Sequence, residues 1–287
     1  MGKKKLLLLG ASGMAGHMAY YYLNDTGKYE ITNVVFRSKL TDDSIILDIT
    51  DNLAIENLIK FSQPDIILNC IGILIKGSKL YPDNAILINA YFPRLLERLA
   101  AEIHAKLIHI STDCVFSGKK GNYSETDERD ADDTYGKSKG LGEVINEKDL
   151  TIRTSIIGPE LKENGEGLFH WFMQQKGEIN GYLEAYWGGV TTLELMKAIN
   201  VAIEEDVTGL VHLTNGDKIS KYELLKLFKE IWNKDDILIK PYNGKSVDKS
   251  LKKSDKFLFE VSTYKQMMID QFEWMQKYSI LYNEIYK

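Results

Sequence analysis

The chain has 287 residues, enough for one large or two modest domains with a real core. Apolar residues make up 44% and charged residues 27%, the proportions of a soluble globular protein, and no run approaches transmembrane length. The formal charge of −5 gives no reason to expect nucleic-acid or membrane-surface binding.

Residues 1–9 open like a signal peptide, but the apolar run stops after four leucines and glycine follows at once. Lys5 to Leu9 therefore reads as a short buried strand. Residues 14–24 carry a helical pattern, 31–36 a β-branched apolar strand, and 45–47 a shorter one. Residues 52–61 are helical in period, and Pro64 separates them from a strand over 65–69. A long helical pattern covers 84–103, with a kink or break expected at Pro93. A strand over 107–111, a helix over 135–146 and a strand over 150–154 follow. This alternation predicts an α/β fold of Rossmann type, a doubly wound parallel sheet with helices on both faces. Right-handed crossovers then bring the strand ends together along one edge.

After Ser155 the texture changes. Gly158 and Pro159 break the chain, and 160–167 reads as a polar loop. Shorter elements follow: helices near 168–175, 192–204, 220–232 and 263–278, and strands at 210–213 and 237–239. We expect a dinucleotide-binding domain over 1–155 and a smaller mixed α/β C-terminal substrate lobe over 156–287, with some segments crossing back to the sheet.

The sequence GASGMAG at 10–16 links the first strand to the first helix. A strand, a glycine loop and a helix start let backbone N–H groups and the helix dipole meet a pyrophosphate. Gly10, Ser12, Gly13 and Met14 are the candidate contacts there. The second strand ends in Arg37 and Ser38 rather than an acidic residue, which suits a 2′-phosphate. NADP(H) is the expected cofactor, with NAD(H) tolerated. Asp48 and Ile49 close the third strand. Asp48 has two readings, an acceptor for an adenine amino group or a cap for the next helix. Cys70 and Gly72 close the fourth, where glycine permits close backbone approach. The two cysteines, Cys70 and Cys114, lie far apart in sequence and fit a reducing cytoplasm. The five histidines lack metal-ligand spacing, so no metal is expected.

Tyr135 and Lys139 stand four residues apart, on one face of a helix. A fixed ammonium beside a phenol favours the phenolate, which would bring proton transfer toward neutral pH. Chance supplies such pairs too: Tyr222 and Lys226 repeat the spacing within an ordinary amphipathic helix capped by Ser220. Tyr135 is distinguished by its company. Thr112 closes the fifth strand on the same edge as the glycine loop, where its hydroxyl could hydrogen-bond a carbonyl.

The stretches STDCVFSG at 111–118, YSETD at 123–127 and YGKSKGLGE at 135–143 resemble the extended short-chain dehydrogenase/reductases. Within these the chain is most similar to the dTDP-4-dehydrorhamnose reductase (RmlD-like) group, over most of its length. The resemblance implies reduction of a 4-keto nucleotide sugar with NAD(P)H in deoxysugar and surface-polysaccharide biosynthesis. It implies Tyr135 as proton donor, Lys139 as the residue that lowers its pKa and holds the nicotinamide ribose, and Thr112 as the group that polarises the ketone. Related dehydratases carry a second carboxylate where Cys114 stands, so dehydration is disfavoured. The group usually has tyrosine there, so the sugar pocket is expected to differ.

Asp113, Val115, Phe116, Arg153, Trp171 and Trp187 are the candidate substrate contacts. Asp113 has two readings, a sugar-hydroxyl ligand or a loop brace, and each tryptophan reads equally as core. Residues 245–256 are lysine-rich, either a solvated loop or a segment near phosphate. Two other functions stay open: a nucleotide-sugar epimerase that retains its cofactor, and a non-catalytic NADP-binding regulatory subunit. A homodimer is the expected assembly.

Overall fold

The computed structural model describes residues 2–286. Six strands lead the fold: β1 (Lys4–Leu9), β2 (Tyr29–Val35), β3 (Ile45–Ile46), β4 (Ile66–Asn69), β5 (Lys106–Ile110) and β6 (Leu150–Arg153). They lie in one seven-stranded sheet in the order β6-β5-β4-β1-β2-β3, with Gly209–His212 beside β6. The five pairings from β3 to β6 are parallel. This is the doubly wound order with its switch point at β1 and β4. β1 is central, and Leu6, Leu7, Leu8 and Leu9 are all buried, which is why its apolar run is continuous rather than alternating.

The helices of this part are α1 (Met14–Asp25), α2 (Asn52–Ser62), α3 (Ile75–Leu80), α4 (Pro82–Ala85), α5 (Phe92–Glu102) and α6 (Thr134–Gly142). Leu7, Ile67 and Leu107 of the strands pack with Ile55 and Ile59 of α2 and with Leu95, Leu96 and Leu99 of α5. Each such leucine removed from water stabilises the fold by about 1.5–3 kcal/mol.

The long helical pattern over 84–103 is divided. A π-helical turn, Ile86–Tyr91, lies between α4 and α5, and Pro93 sits in the first turn of α5. Proline is tolerated there because first-turn N–H groups have no intrahelical partner. α6 ends at Gly142, earlier than the expected 146. Its glycines are poor helix formers but permit two close approaches. A Cβ on Gly136 would lie 2.2 Å from the Cys114 carbonyl oxygen, and one on Gly142 would lie 1.9 Å from that of Asn89.

The molecule divides into two compact units. The first holds the residues up to Ser117, Glu128–Arg153 and Asn200–Val211; the second holds Gly118–Asp127, Thr154–Ile199 and the residues from His212 onward. Segments therefore cross the expected division at 155 in both directions, since 200–211 supplies a strand to the large sheet.

Most strands of the second unit have only two or three residues, too few for a readable period. Gly177–Tyr182 pairs in parallel with Ile237–Tyr242, and Ala185–Trp187 lies between Ile219–Ser220 and Val247–Asp248. Its helices pack through aromatic side chains, with the Phe169 and Trp232 rings 4.7 Å apart. The lysine-rich 245–256 stretch is anchored in this unit at two points, while Lys245, Lys252, Lys253 and Lys256 stay exposed. Val247 pairs with Ala185, and the Lys252 N–H donates to the Tyr123 carbonyl at 2.8 Å. Among the described residues no helix is long and apolar enough to cross a membrane.

Gly142→Ala tests the close packing of α6. Alanine is the better helix former, yet the contact with the Asn89 carbonyl should make the variant less stable by about 1–3 kcal/mol in urea unfolding. A gain in stability would contradict the packing.

Candidate functional site

The register of the sheet places the site. Leu9 lies opposite both Val34 and Asn69, Asn69 opposite His109, and Ile110 opposite Ile152. Because the strands are parallel, Gly10, Phe36, Cys70 and Ser111 all leave the sheet at one edge. Gly10 has φ +82°, a conformation glycine adopts without strain. A Cβ on Gly16 would lie 2.0 Å from the Gly10 carbonyl oxygen, so glycine at 16 brings α1 against the loop.

The start of α1 has chemistry of its own. Its N-cap, Gly13, supplies no side-chain hydrogen bond, and its first turn holds no acidic residue. α2 and α6 are capped instead by the Asp51 and Asp133 carboxylates. The first N–H groups of α1 thus suit an anion such as pyrophosphate. Ser12 and Met14 are half-buried in the same loop. Arg37 and Ser38 are exposed beyond β2, with the Arg37 guanidinium 4.7 Å from the Phe36 ring centroid. These residues fit a phosphorylated dinucleotide.

Asp48 does not cap α2, because Asp51 does so through the Ala54 N–H at 3.0 Å. The Asp48 Oδ1 instead accepts from the Thr50 N–H at 3.0 Å and from the Thr50 hydroxyl at 2.8 Å. Asp48 is exposed and Ile49 half-buried.

Thr112 lies just beyond the end of β5 and is held by contacts on both sides of its hydroxyl. Its Oγ1 accepts from the Cys114 N–H at 3.1 Å, which caps a short 3₁₀ turn, Asp113–Val115. It donates to Asp113 Oδ1 at 3.1 Å, and the same hydroxyl favours the ionised form of the nearby Tyr135 phenol. Asp113 is buried in this arrangement, so its loop-brace reading is the one the contacts support.

The Tyr135–Lys139 pair differs from expectation. Burial pushes the Tyr135 phenol above its ordinary value, with the nearby Cys114, Asp113 and Asp133 adding to the rise and the Thr112 hydrogen bond opposing it. Lys139 does not reverse this. Burial lowers Lys139 itself to about 8, against the pull of Glu143 and Cys70, and its Nζ donates to the Ile110 carbonyl at 2.7 Å. The pair at neutral pH is therefore a protonated phenol beside a largely protonated amine. The thiol of the half-buried Cys70 is pushed up to about 12 by desolvation. A Cβ on Gly72 would stand 3.9 Å from the Lys139 Nζ, so the Cys70–Gly72 strap and the lysine are neighbours. The second tyrosine–lysine pair is structural: Lys226 Nζ bonds Glu223 at 3.0 Å on an exposed helix face.

Asn89 was not singled out from the sequence. It is fully buried in the π-helical turn, where its Oδ1 accepts from the Ile73 N–H at 2.8 Å and its Nδ2 donates to the Ile73 carbonyl at 2.9 Å. Nδ2 also reaches Ser138 Oγ at 3.2 Å, tying the strap after β4 to α6. The signal was present: an amide within an otherwise apolar helical pattern.

Four of the expected substrate contacts, Arg153, Val115, Phe116 and Trp187, are buried. Arg153 is 1% exposed, and its Nε and Nη2 bond the two Glu143 carboxylate oxygens at 2.6 and 2.7 Å. Its guanidinium also lies 5.2 Å from the Phe116 ring. Val115 and Phe116 are fully buried, so these side chains form the wall behind Thr112. In the second unit Trp187 is buried, donating from Nε1 to Ser155 Oγ at 3.1 Å, while Trp171 is partly exposed on the helix Leu168–Met173.

The model for the RmlD substrate binding domain matches residues 4–286. The chain belongs to this family. Family membership agrees with the Rossmann-type sheet and with the motifs at 111–118 and 135–143. A dTDP-4-dehydrorhamnose reductase of Aggregatibacter actinomycetemcomitans is 27% identical over 240 residues, 79% of each chain. The spore coat polysaccharide biosynthesis protein SpsK of Bacillus subtilis is 29% identical over 235 residues, 79% of this chain and 78% of SpsK. The crystal structure of a dTDP-4-dehydrorhamnose reductase from Bacillus anthracis in complex with NADP superposes with a TM-score of 0.81. It is 23% identical, covers 94% of this chain and 99% of that one, and at that identity establishes the shared fold.

His17 stands one turn into α1, fully buried, with Nδ1 2.9 Å from the Gly13 carbonyl oxygen. Burial lowers it to about 4, partly offset by that hydrogen bond. An unfolded imidazole near 6.5 takes up a proton that the folded one refuses, so this contribution is complete above pH 6.5 and is lost as pH falls toward 4. Urea unfolding should lose roughly 2 kcal/mol through His17 between pH 7 and 5, and His17→Gln should flatten that slope. An unchanged slope in the variant would contradict the assignment.

Proposed function

We propose that this protein reduces the 4-keto group of a 4-keto-6-deoxy nucleotide sugar to a secondary alcohol, as a dTDP-4-dehydrorhamnose reductase does. The observation that carries the reading is the Thr112 hydroxyl placed to act on the Tyr135 phenol, with Lys139 one helical turn on, at the edge that holds the uncapped start of α1. NADPH, when bound, supplies the hydride. The first N–H groups of α1 take the pyrophosphate, and Arg37 with Ser38 takes the 2′-phosphate, so NADPH is preferred and NADH tolerated. The Thr112 hydroxyl, turning its one proton from Asp113 to the substrate, polarises the ketone oxygen. Tyr135, held as a neutral phenol by burial, gives its proton to that oxygen as hydride reaches the carbon, and later regains one from solvent. The Lys139 cation stabilises the phenolate left behind and bonds the nicotinamide ribose. Asp113 holds Thr112 in place, and Trp171 stays a candidate sugar or base contact.

The likeness to SpsK supports a role in polysaccharide biosynthesis. The cysteines, in no disulfide, suit the cytoplasm. We also place the chain in a homodimer, supported by the exposed apolar residues Leu80, Tyr81, Ile86 and Leu141 on the segments α3 to α6.

Purified protein should oxidise NADPH only when given 4-keto-6-deoxy nucleotide sugars. Tyr135→Phe should lower kcat by at least about 10²-fold while still binding NADPH, and Arg37→Ala should shift preference toward NADH. Near-normal turnover by Tyr135→Phe would overturn the mechanism. Tightly retained oxidised cofactor would point to an epimerase instead, and cofactor binding without turnover on the whole panel to a regulatory subunit. Light scattering should give a particle of two chains; a monomer at micromolar concentration would contradict the dimer.

A further inference from the structure

His109 is fully buried in β5, one residue before the carbonyl that holds Lys139, and no step of the proposed reaction uses it. Its Nδ1 lies 3.1 Å from Asn69 Nδ2, across the pair of opposed residues in β4 and β5. The other end of the same amide, Asn69 Oδ1, is 3.1 Å from the Ile71 N–H. A backbone N–H is always a donor, so Asn69 must turn its oxygen to Ile71 and its NH₂ to His109. His109 Nδ1 is then an acceptor, and the proton is on Nε2, which has no hydrogen-bond partner. Burial, with the Lys139 and Arg94 cations nearby, holds the ring well below the usual imidazole value, in keeping with a neutral ring.

What Asn69 anchors is the strap beneath the glycine loop. A Cβ on Gly10 would meet Ile71 Cγ1 at 2.8 Å and the Ile71 nitrogen at 3.3 Å, so Ile71 packs directly under Gly10. We propose that His109 is a positioning residue: as the neutral Nε2–H tautomer it fixes the Asn69 amide, which holds the Ile71 backbone and so the glycine loop in its binding geometry. Without an acceptor at Nδ1, one Asn69 N–H is left buried and unsatisfied, and the amide that accepts from the Ile71 N–H loses its second anchor. The consequence for cofactor rests on the function proposed above; the consequence for Ile71 does not.

Three variants and one direct observation decide it. His109→Leu removes the acceptor. His109→Asn restores one, because Asn Oδ1 falls near the place of His Nδ1, and His109→Gln puts its amide nearer the place of Nε2. In cofactor-free protein, amide hydrogen exchange at Ile71 should be about tenfold faster in His109→Leu and His109→Gln but close to wild type in His109→Asn, the size expected for one hydrogen bond. The dissociation constant for NADPH, titrated by protein fluorescence, should follow the same order, with kcat at saturating cofactor changing little. In the wild type, ¹⁵N shifts of His109 should show Nδ1 unprotonated and Nε2 protonated at pH 7, a result that needs no variant to fold. The opposite tautomer, or equal Ile71 exchange in His109→Leu and wild type, would overturn the proposal. Should NADPH bind none of these proteins, the functional reading fails while exchange and tautomer still decide the role of His109.

Discussion

The buried carboxylate of Glu143 is the interaction on which the site depends. It is fully excluded from solvent, and such a charge persists only where cations and donors surround it. Arg153, at the end of β6, bonds both of its oxygens, Arg129 adds a contact at 3.0 Å, and the Ser111 hydroxyl donates at 2.8 Å from the end of β5. One carboxylate thus ties the end of α6 to the ends of two strands. Tyr135 and Lys139 ride on that helix, and Thr112 follows Ser111 directly. Removing one member of such a buried set typically costs about 3–5 kcal/mol, because it strands the remaining charge. The positions of the phenol, the ammonium and the threonine hydroxyl are set by this knot as much as by their own contacts.

Burial decides the protonation states as well. A phenol and an amine taken from water both favour their neutral forms, so one pKa rises and the other falls. The upward move of Tyr135 suits a group that must give a proton away, and the fall of Lys139 to about 8 leaves most of it cationic at neutral pH. The common picture of a lysine that pulls a tyrosine down is weaker here, because the lysine spends a hydrogen bond on the Ile110 carbonyl and is itself desolvated.

Much of the first unit was legible because its signals repeat. Leu6 to Leu9 and Ile66 to Leu68 are buried runs beside glycine or proline punctuation, Leu107 to Ile108 is a third buried run, and their alternation with helices fixes the parallel sheet. Thr112, Tyr135 and Lys139 could be placed together because parallel strands end on one edge. What the sequence hid was pairing at a distance. Arg153 read as a substrate contact because nothing local shows that Glu143 consumes it. Asn89 lay inside what looked like one continuous helix, and its π-helical turn has no period of its own. The two-residue strands 156–157 and 190–191 exist only through each other, so neither segment alone predicts them. Gly136 and Gly142 are poor helix formers, yet each marks a backbone approach too close for any Cβ.

The central claim is that this edge of the sheet carries hydride from a reduced nicotinamide to a sugar carbon while Tyr135 supplies the proton. Isotope tracing tests it most directly. With NADPH deuterated at the transferred position of nicotinamide C4 and a 4-keto-6-deoxy nucleotide sugar, mass and NMR spectra should place one deuterium on C4 of the product sugar for each NADPH consumed. A product with no deuterium at C4, or sugar conversion without net NADPH consumption, would contradict the account.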